Sequence, residues 1–555
     1  MMPIHKLRRA TGGLLAGAVL VAAGAFVPMA VAGDRPVVHA PAGTVSGETR
    51  GGIRVFKGLP YARPPVGDAR WKPPAPPAPW QGVRDARSFG PACVQPKSRP
   101  GSIYAEDYPA MSEDCLTLNV WAPEHANAAP VFVWIHGGSL VTGSGSEAMY
   151  DGTKLAKEGM IVVTINYRLG VLGYLAHPGL SAESPDHVSG NYGLLDQIEA
   201  LKWVKANIGA FGGDPDNVTI AGESAGALSV MYLLASPAAR GLFAKAIAES
   251  AYMITTPDLR EKRFGVDSAE AAGEALATKL GAADVAALRA MDAETLINEA
   301  PKTGYLPWGT IDGRILPRQL VDTFDRGEQA RVPLIAGFNS GEIRSLRFLL
   351  PPKPASAAEY EAKIRTGYGD LADTFLGFYP AASLDESMLA TTRDAMYGWT
   401  AERLVRKQAA LGVPAYLYIF DHGYPAADNL GLHAFHASEL PYVFGTTDRM
   451  PPRWPKVPRY SADLKLSEAM RGYWASFARS SVPKAADQPD WTAFAPAKAY
   501  MYFAGAPSIA TGLLPGHYEL HEQVMCRRHA AGDVAWNWNV GVAAPPLPAQ
   551  ASECR

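Results

Sequence analysis

The sequence predicts an α/β fold, with a central, mostly parallel sheet flanked by helices. Short apolar runs alternate along the chain with longer amphipathic segments, which is the order of elements that gives a parallel sheet covered on both sides. Most of the runs are apolar on consecutive residues, as strands buried on both faces are. The predicted strands are Val131–His136, Ile161–Tyr167, Val218–Ala221, Val332–Gly337 and Ala415–Phe420.

The clearest predicted helix is Leu194–Ile208, where apolar residues recur three and four positions apart and so share one face. Arg393–Ala410 and Asp463–Arg479 are predicted to be helical as well. The chain has 555 residues, whereas single cores usually stop growing near roughly 250–300 residues. Because α/β folds with large insertions exceed this size, we expect one domain, residues 33–540, with large insertions in its second half. The Pro- and Ala-rich tail, residues 541–555, is expected to fray from Ala543 onward.

Composition and charge exclude some classes of partner. Hydrophobic residues make up 48% of the chain and charged residues 19%, an ordinary globular balance. The formal net charge is −2 and there is no long run of Lys or Arg. A nucleic-acid partner is therefore not expected.

The first 32 residues have the parts of a cleaved signal peptide. The apolar stretch Leu14–Val27 is rich in Ala and Gly, and Ala30–Ala32 offers the small-residue cleavage pattern, leaving Gly33 as the new N-terminus. The basic start consists of Lys6, Arg8 and Arg9. An uncleaved membrane anchor is the alternative, and the two arginines leave twin-arginine export open. We expect a secreted or periplasmic protein with no membrane insertion after cleavage and a net charge of about −5.

Four cysteines follow the leader, and export makes disulfides possible among them. Four cysteines allow three connectivities, of which pairing between near neighbours closes the shortest loops. A metal site would need closer spacing, so none is expected. The cysteines are Cys93, Cys115, Cys526 and Cys554.

The segment Gly222–Gly226, with the sequence Gly-Glu-Ser-Ala-Gly, directly follows the predicted strand Val218–Ala221 and precedes a helical stretch, Ala227–Leu234. This is the nucleophile-elbow pattern of α/β-hydrolases, in which a cramped turn exposes the serine at the end of the sheet. The pattern predicts Ser224 as a nucleophile, which needs a base, an orienting carboxylate and donors for the oxyanion.

The glycine-rich segment His136–Ser139, which follows the strand ending at His136, is a candidate for the oxyanion donors. Glycines there let backbone N–H groups face a substrate carbonyl without side-chain obstruction. A plain glycine turn after a strand is the alternative.

Taken together, these residues resemble the type-B carboxylesterase family, which includes carboxylesterases, cholinesterases and bacterial para-nitrobenzyl esterases. Two long signatures of that family are present, at residues 211–226 and 113–123, and the similarity runs from about residue 36 to about residue 525. Shorter matches are residues 56–62, 64–67, 166–170 and 190–197.

The resemblance implies which acid and which histidine complete the site. The family's acid ends a Gly-x-Asn-x-x-Glu pattern, which here points to Glu342, although Ile343 stands where the family usually has glycine. Its histidine opens the pattern His-x-x-Glu-Leu-Pro, which points to His436. The chain order of Ser224, Glu342 and His436 is the order of this fold.

The resemblance also implies that Gly138, Ser139 and Ala225 donate N–H groups to the oxyanion; many relatives have glycine at the position of Ser139. It implies pairing of Cys93 with Cys115, whereas Cys526 and Cys554 lie in a tail outside it. His422 and His433 are interpreted as loop or core histidines.

The implied function is hydrolysis of carboxylic esters through an acyl-enzyme, on a small-molecule ester and with no cofactor. Alternatives are a lipase-like or specialised toxin-ester hydrolase on the same triad, or a non-catalytic binding protein. Residues 94–114 hold Tyr104 and Tyr108 but no Trp, so choline esters are not expected. Arg344 and Arg347 could receive an acidic acyl group, but are more often solvated loop residues. The natural ester and the oligomeric state are not implied.

Overall fold

The computed structural model describes residues 35–536 and 538–554; the predicted signal peptide lies outside them. The described strands are β1 (Val37–Ala40), β2 (Gly43–Ser46), β3 (Glu48–Arg50), β4 (Ile53–Pro60), β5 (Val83–Asp85), β6 (Ala92–Cys93), β7 (Met111–Ser112), β8 (Thr117–Pro123), β9 (Ala129–Ile135), β10 (Ile161–Ile165), β11 (Gly213–Glu223), β12 (Lys245–Glu249), β13 (Leu334–Asn339), β14 (Ala415–Phe420), β15 (Ala499–Phe503) and β16 (Pro507–Thr511).

The described α-helices are α1 (Thr153–Lys157), α2 (Gly170–Tyr174), α3 (Pro178–Glu183), α4 (Tyr192–Asn207), α5 (Ala225–Ala235), α6 (Ala269–Lys279), α7 (Val285–Ala290), α8 (Ala293–Glu299), α9 (Leu320–Asp325), α10 (Glu342–Ser345), α11 (Ala357–Tyr368), α12 (Ala372–Phe378), α13 (Leu384–Arg393), α14 (Trp399–Ala410), α15 (Pro425–Asp428), α16 (Leu440–Phe444), α17 (Ser461–Ser480) and α18 (His517–Ala531).

Within the described residues, eleven strands form the central sheet, in the order β16-β15-β14-β13-β12-β11-β9-β10-β8-β4-β3. The strands from β10 to β15 in this order pair in parallel, and the strands at the two edges pair antiparallel. Parallel neighbours need helical crossovers, and these cover the faces of the sheet. The prediction of a mostly parallel sheet flanked by helices is therefore confirmed.

Strand β9 lies inside the sheet and contributes to the core on both faces. Val131, Val133 and Ile135 face one apolar core, while Phe132 and Trp134 face another. Helices α4 and α5 pack into the first core and α17 packs into the second. This two-sided burial explains why the strand is apolar at consecutive residues.

The element boundaries differ from the predicted ones mainly where the chain turns toward the site. Strands β9 and β10 stop at Ile135 and Ile165, one and two residues earlier than predicted, because the chain turns there at the carboxyl edge of the sheet. The predicted helix Arg393–Ala410 consists of the end of α13, a π-helical turn at Asp394–Gly398, and α14. Single π-turns of this kind occur frequently at functional sites.

The C-terminal tail is packed, contrary to the expected fraying. Leu547 packs against an apolar cluster formed by α11, α12 and α18, and Cys554 is 2% exposed. A disulfide joins Cys554 to Cys526 in α18, and a second joins Cys93 to Cys115, so the near-neighbour pairing is confirmed. The apolar contacts and this covalent link offset the entropy of ordering the tail.

No helix in residues 35–536 or 538–554 is both long enough and apolar enough to cross a membrane.

Candidate active site

Ser224 lies in the sharp turn between β11 and α5, with φ 56° and ψ −120°. This conformation costs a non-glycine residue about 1–3 kcal/mol, so the surrounding packing has to impose it. A Cβ on Gly226 would lie 2.0 Å from the carbonyl oxygen of Ile135, and one on Gly222 would lie 2.6 Å from the backbone of Gly226. Glycine is therefore required on both sides of Ser224, because β9 and the turn approach too closely for any side chain.

The glycine-rich turn after β9 lies directly beside Ser224. A Cβ on Gly137 would lie 3.3 Å from the Cβ of Ser224, and both Gly138 (φ 98°) and Ser139 (φ 58°) have left-handed backbones. Among the described residues, the backbone N–H groups of Gly138, Ser139 and Ala225 have no protein acceptor. Three N–H groups in this neighbourhood are thus free to bind an anion, and that of Ala225 belongs to a helix N-terminus.

His436 and Glu342 are brought together from two separate segments of the chain. Glu342 is the first residue of α10, just after β13, and its Oε2 forms a hydrogen bond with Nδ1 of His436. Oε1 of Glu342 accepts hydrogen bonds from Ser250 Oγ (2.6 Å) and from the backbone N–H of Asn339 (2.8 Å). With Glu342 fully buried and held by these donors, the imidazole is fixed with its Nε2 directed away from the acid.

The other ring nitrogen of His436 lies next to the residue that precedes Ser224. His436 Nε2 is 3.0 Å from Oε1 of Glu223, without the alignment of a hydrogen bond. Burial raises the pKa of Glu223 well above its usual range, and the nearby carboxyls of Glu342 and Glu249 act in the same direction. The elbow and the His–Glu pair therefore meet at one point, with a carboxyl between them whose neutral form is favoured by burial.

Two further buried glutamates surround this point. Burial raises the pKa of Glu249 to about 8, although a hydrogen bond from Trp474 Nε1 (2.8 Å) opposes the shift. Burial also raises the pKa of Glu439, whose Oε2 accepts a hydrogen bond from Asn339 Nδ2. Sequence reasoning missed this cluster, although Glu223 and Glu439 stand inside the two motifs that identified Ser224 and His436.

Two tyrosines contact the His–Glu pair, and neither was predicted to do so. The ring of Tyr397, from the π-helical turn, lies 5.4 Å from the ring of His436. The hydroxyl of Tyr104 lies 2.9 Å from the carbonyl oxygen of His436 and 2.7 Å from Oγ of Ser345. Sequence reasoning identified Tyr104 only by its place in the loop between Cys93 and Cys115.

The remaining candidates lie outside the pair. His422 is bound to Asp463 (2.9 Å), and His433 lies between Asp428 and Asp421 (3.0 and 3.1 Å). Arg344 pairs with Glu386 at 2.7 Å, and Arg347 is exposed. Ile343, the departure from the family pattern, is buried in the core with 1% exposure.

An elbow serine, a His–Glu pair next to it and free N–H groups at the carboxyl edge of a mostly parallel sheet define a serine hydrolase of the α/β-hydrolase fold. The profile described as the carboxylesterase family matches residues 34–518. The chain belongs to the carboxylesterase family, and it is a carboxylic ester hydrolase.

Individual relatives agree with this. The chain is 39% identical over 512 residues to the fumonisin B1 esterase of Sphingopyxis macrogoltabida, covering 88% of this chain and 90% of that protein. It is 37% identical over 472 residues to the para-nitrobenzyl esterase of Bacillus subtilis, covering 82% and 92%. The solved carboxylesterase of Geobacillus stearothermophilus superposes with a TM-score of 0.72 at 34% identity, covering 88% of this chain and all of that one.

Proposed function

We propose that Ser224 is the nucleophile, His436 the general base and Glu342 the orienting acid of the ester hydrolase. The hydrogen bond between His436 Nδ1 and Glu342, next to the elbow that carries Ser224, is the observation that carries the proposal. His436 takes the hydroxyl proton of Ser224 as the serine Oγ attacks the ester carbonyl, and Glu342 stabilises the imidazolium that forms. The protonated His436 then gives its proton to the departing alcohol, and the acyl group remains on Ser224.

The second half of the reaction repeats these roles with water. His436 takes a proton from water, whose oxygen attacks the acyl carbon, and returns it to Ser224 Oγ as the acid departs. In both halves the oxyanion is held by the N–H groups of Gly138, Ser139 and Ala225. Their lack of protein acceptors supports this role, and each donor is worth about 3–4 kcal/mol in comparable enzymes.

The test is hydrolysis of a para-nitrophenyl ester series, from acetate to palmitate, by the wild type, Ser224→Ala and Ser476→Ala. The Ser476 hydroxyl binds the carbonyl of Val482 at the surface and serves as the matched control. We expect turnover by the wild type and Ser476→Ala but not by Ser224→Ala. Activity retained in pure Ser224→Ala would contradict the assignment. A preference for long acyl chains would support the lipase-like alternative. No turnover on any ester of the series would favour a narrow natural substrate or the binding protein.

Fumonisin B1 is the specialised substrate to add to this series, because the fumonisin B1 esterase is 39% identical to this chain over 512 residues. Release of a carboxylic acid from it by the wild type, with loss of that activity in Ser224→Ala, is the expected outcome. If the enzyme hydrolyses aryl esters but does not cleave fumonisin B1, we would conclude that it is a general carboxylesterase.

We further propose that the enzyme is exported and that residues 1–32 are removed. Both disulfides support this, because such bonds persist in oxidising compartments. N-terminal sequencing of protein recovered from the periplasm or medium should begin at Gly33. Recovery of full-length chain in the membrane fraction would instead support the uncleaved anchor.

A further inference from the structure

Tyr104 connects the disulfide loop to the backbone of the proposed base and to α10, the short helix that begins with the proposed acid. Its hydroxyl donates to the carbonyl oxygen of His436 at 2.9 Å. Ser345 Oγ lies 2.7 Å from the same hydroxyl and 3.4 Å from the carbonyl oxygen of Glu342. Tyr104 and Ser345 have one hydroxyl proton each, so when Tyr104 donates to the carbonyl of His436 it accepts from Ser345. One side chain therefore bonds to the main chain at His436 and to Ser345 of α10, the short helix that begins with Glu342.

The segment around His436 needs such a contact. His433 (φ 50°) and Ala437 (φ 67°) both have left-handed backbones, which disfavour non-glycine residues. Among the described residues, Tyr104 is the only hydrogen-bond donor to the carbonyl oxygen of His436. Without this bond, the backbone of His436 would lose a contact that helps to fix the position of its imidazole relative to Glu342.

The position of Tyr104 is itself fixed. Its ring packs edge-to-face against Trp454, with centroids 5.7 Å apart, and burial raises the pKa of its hydroxyl well above the usual range. Burial thus favours the protonated hydroxyl, which is the form that donates. The loop that carries it is closed by the disulfide between Cys93 and Cys115.

We propose that Tyr104 is a positioning residue of the esterase, one that keeps the imidazole of His436 in hydrogen-bonding position against Glu342. This inference rests on the proposed roles of Ser224, His436 and Glu342. Removing the hydroxyl should let the imidazole drift from Glu342, which weakens the stabilisation of the imidazolium in the transition state. Small displacements of a catalytic group cost rate rather than substrate binding.

The experiment compares Tyr104→Phe with Tyr108→Phe. Tyr108 belongs to the same loop, but its hydroxyl donates to Glu147 (2.7 Å) and contacts neither His436 nor Glu342. For Tyr104→Phe we expect kcat to fall about tenfold with KM nearly unchanged. Tyr108→Phe should keep the kcat and KM of the wild type.

Equal kcat values for the two variants, at similar melting temperatures, would overturn the proposal and leave Tyr104 a loop anchor. If Tyr104→Phe folds poorly, Ser345→Ala tests the same connection from the other side, with an expected smaller fall in kcat. A kcat unchanged in Ser345→Ala would then count against the proposal. The double variant should lose less activity than the product of the two single losses, because both changes break one connected set of hydrogen bonds.

Labelling with a fluorophosphonate separates this proposal from the assignment of the nucleophile. The reagent forms a bond between phosphorus and the serine Oγ and releases fluoride, and mass spectrometry locates the label. Label absent from Ser224 in the wild type would contradict the proposed function. Label on Ser224 at full stoichiometry, but formed about tenfold more slowly in Tyr104→Phe, would support the positioning role.

Discussion

His436 lies between two carboxyl groups that have different surroundings. Its Nδ1 is bound to Glu342, which also accepts from Ser250 and Asn339, while its Nε2 is 3.0 Å from Oε1 of Glu223. Oε1 of Glu223 has no hydrogen bond within the described residues, and burial raises the pKa of this carboxyl. Glu342, which is held by two donors and bonds to the ring, is therefore the carboxyl placed to stabilise an imidazolium, while burial favours the protonated form of Glu223.

This difference predicts that Glu342→Gln is far more damaging than its small change in shape suggests. The amide keeps the volume but cannot carry the charge, and its NH₂ group can face His436 Nδ1 and favour the wrong tautomer. We expect kcat to fall by about 10³–10⁴-fold with the fold retained, measured on para-nitrophenyl acetate. The control is Glu386→Gln, which removes only the surface partner of Arg344. A loss below tenfold in Glu342→Gln would contradict the assigned acid.

The pKa of Glu249 predicts how stability depends on pH. A buried carboxyl with a folded-state pKa of about 8 binds its proton more tightly when folded than when unfolded, where the value is near 4.5. Its contribution to stability is therefore complete below about pH 4.5 and is lost as pH rises toward 8. In Glu249→Gln this loss should disappear. The melting temperature of the variant, relative to that of the wild type, should therefore rise as pH increases from 5 to 8.

Melting temperatures measured from pH 5 to 9 provide the check. Glu468→Gln, an exposed substitution on α17, is the control and should follow the wild type. Parallel curves for wild type and Glu249→Gln would show that Glu249 is ionised in the folded protein.

Ser139 predicts a gain in stability on substitution by glycine. Its φ of 58° disfavours an L side chain, and the side chain is exposed. Ser139→Gly should raise the free energy of unfolding by about 0.5–1 kcal/mol and keep the backbone N–H. Activity should stay within a few-fold, whereas a loss of 100-fold would mean that the hydroxyl itself acts on the substrate. Ser481→Gly is the control, because Ser481 has a φ of 65° at the end of α17 and lies away from the site. Its free energy of unfolding should rise by a similar amount without any change in activity.

The sheet and the site differ in how far the sequence could predict them. The runs of apolar residues in β9, β10 and β14 predict buried strands because each strand is covered on both faces, and no distant information is needed. Ser224 is predictable because the Gly-Glu-Ser-Ala-Gly pattern between a strand and a helix is contiguous in the sequence, although the carbonyl of Ile135 in β9 is what excludes a side chain at Gly226. Glu342 and His436 came only from the resemblance, because nothing local marks one Glu or His among many.

The contacts that sequence reasoning missed join residues far apart in the chain. Tyr104 and His436 are separated by 332 positions, and Ser250 and Glu342 by 92. Neither periodicity nor composition carries information about such pairs. The packed C-terminal tail is similar, because Pro- and Ala-rich composition predicts little local structure while Cys554 and Leu547 fix it through tertiary contacts.

The two disulfides are expected to have different consequences. Each closes a loop of similar length, with separations of 22 and 28 residues, so the chain-entropy account predicts a loss of about 3 kcal/mol on removing either. The loop closed by Cys93 and Cys115 carries Tyr104, however, while the loop closed by Cys526 and Cys554 anchors the tail. Replacing Cys93 and Cys115 by Ala should lower kcat as well as stability, whereas the pair Cys526→Ala and Cys554→Ala should lower stability alone. Urea unfolding and kcat measured on both double variants test this. Equal kcat values in the two would mean that the native position of Tyr104 does not depend on its disulfide.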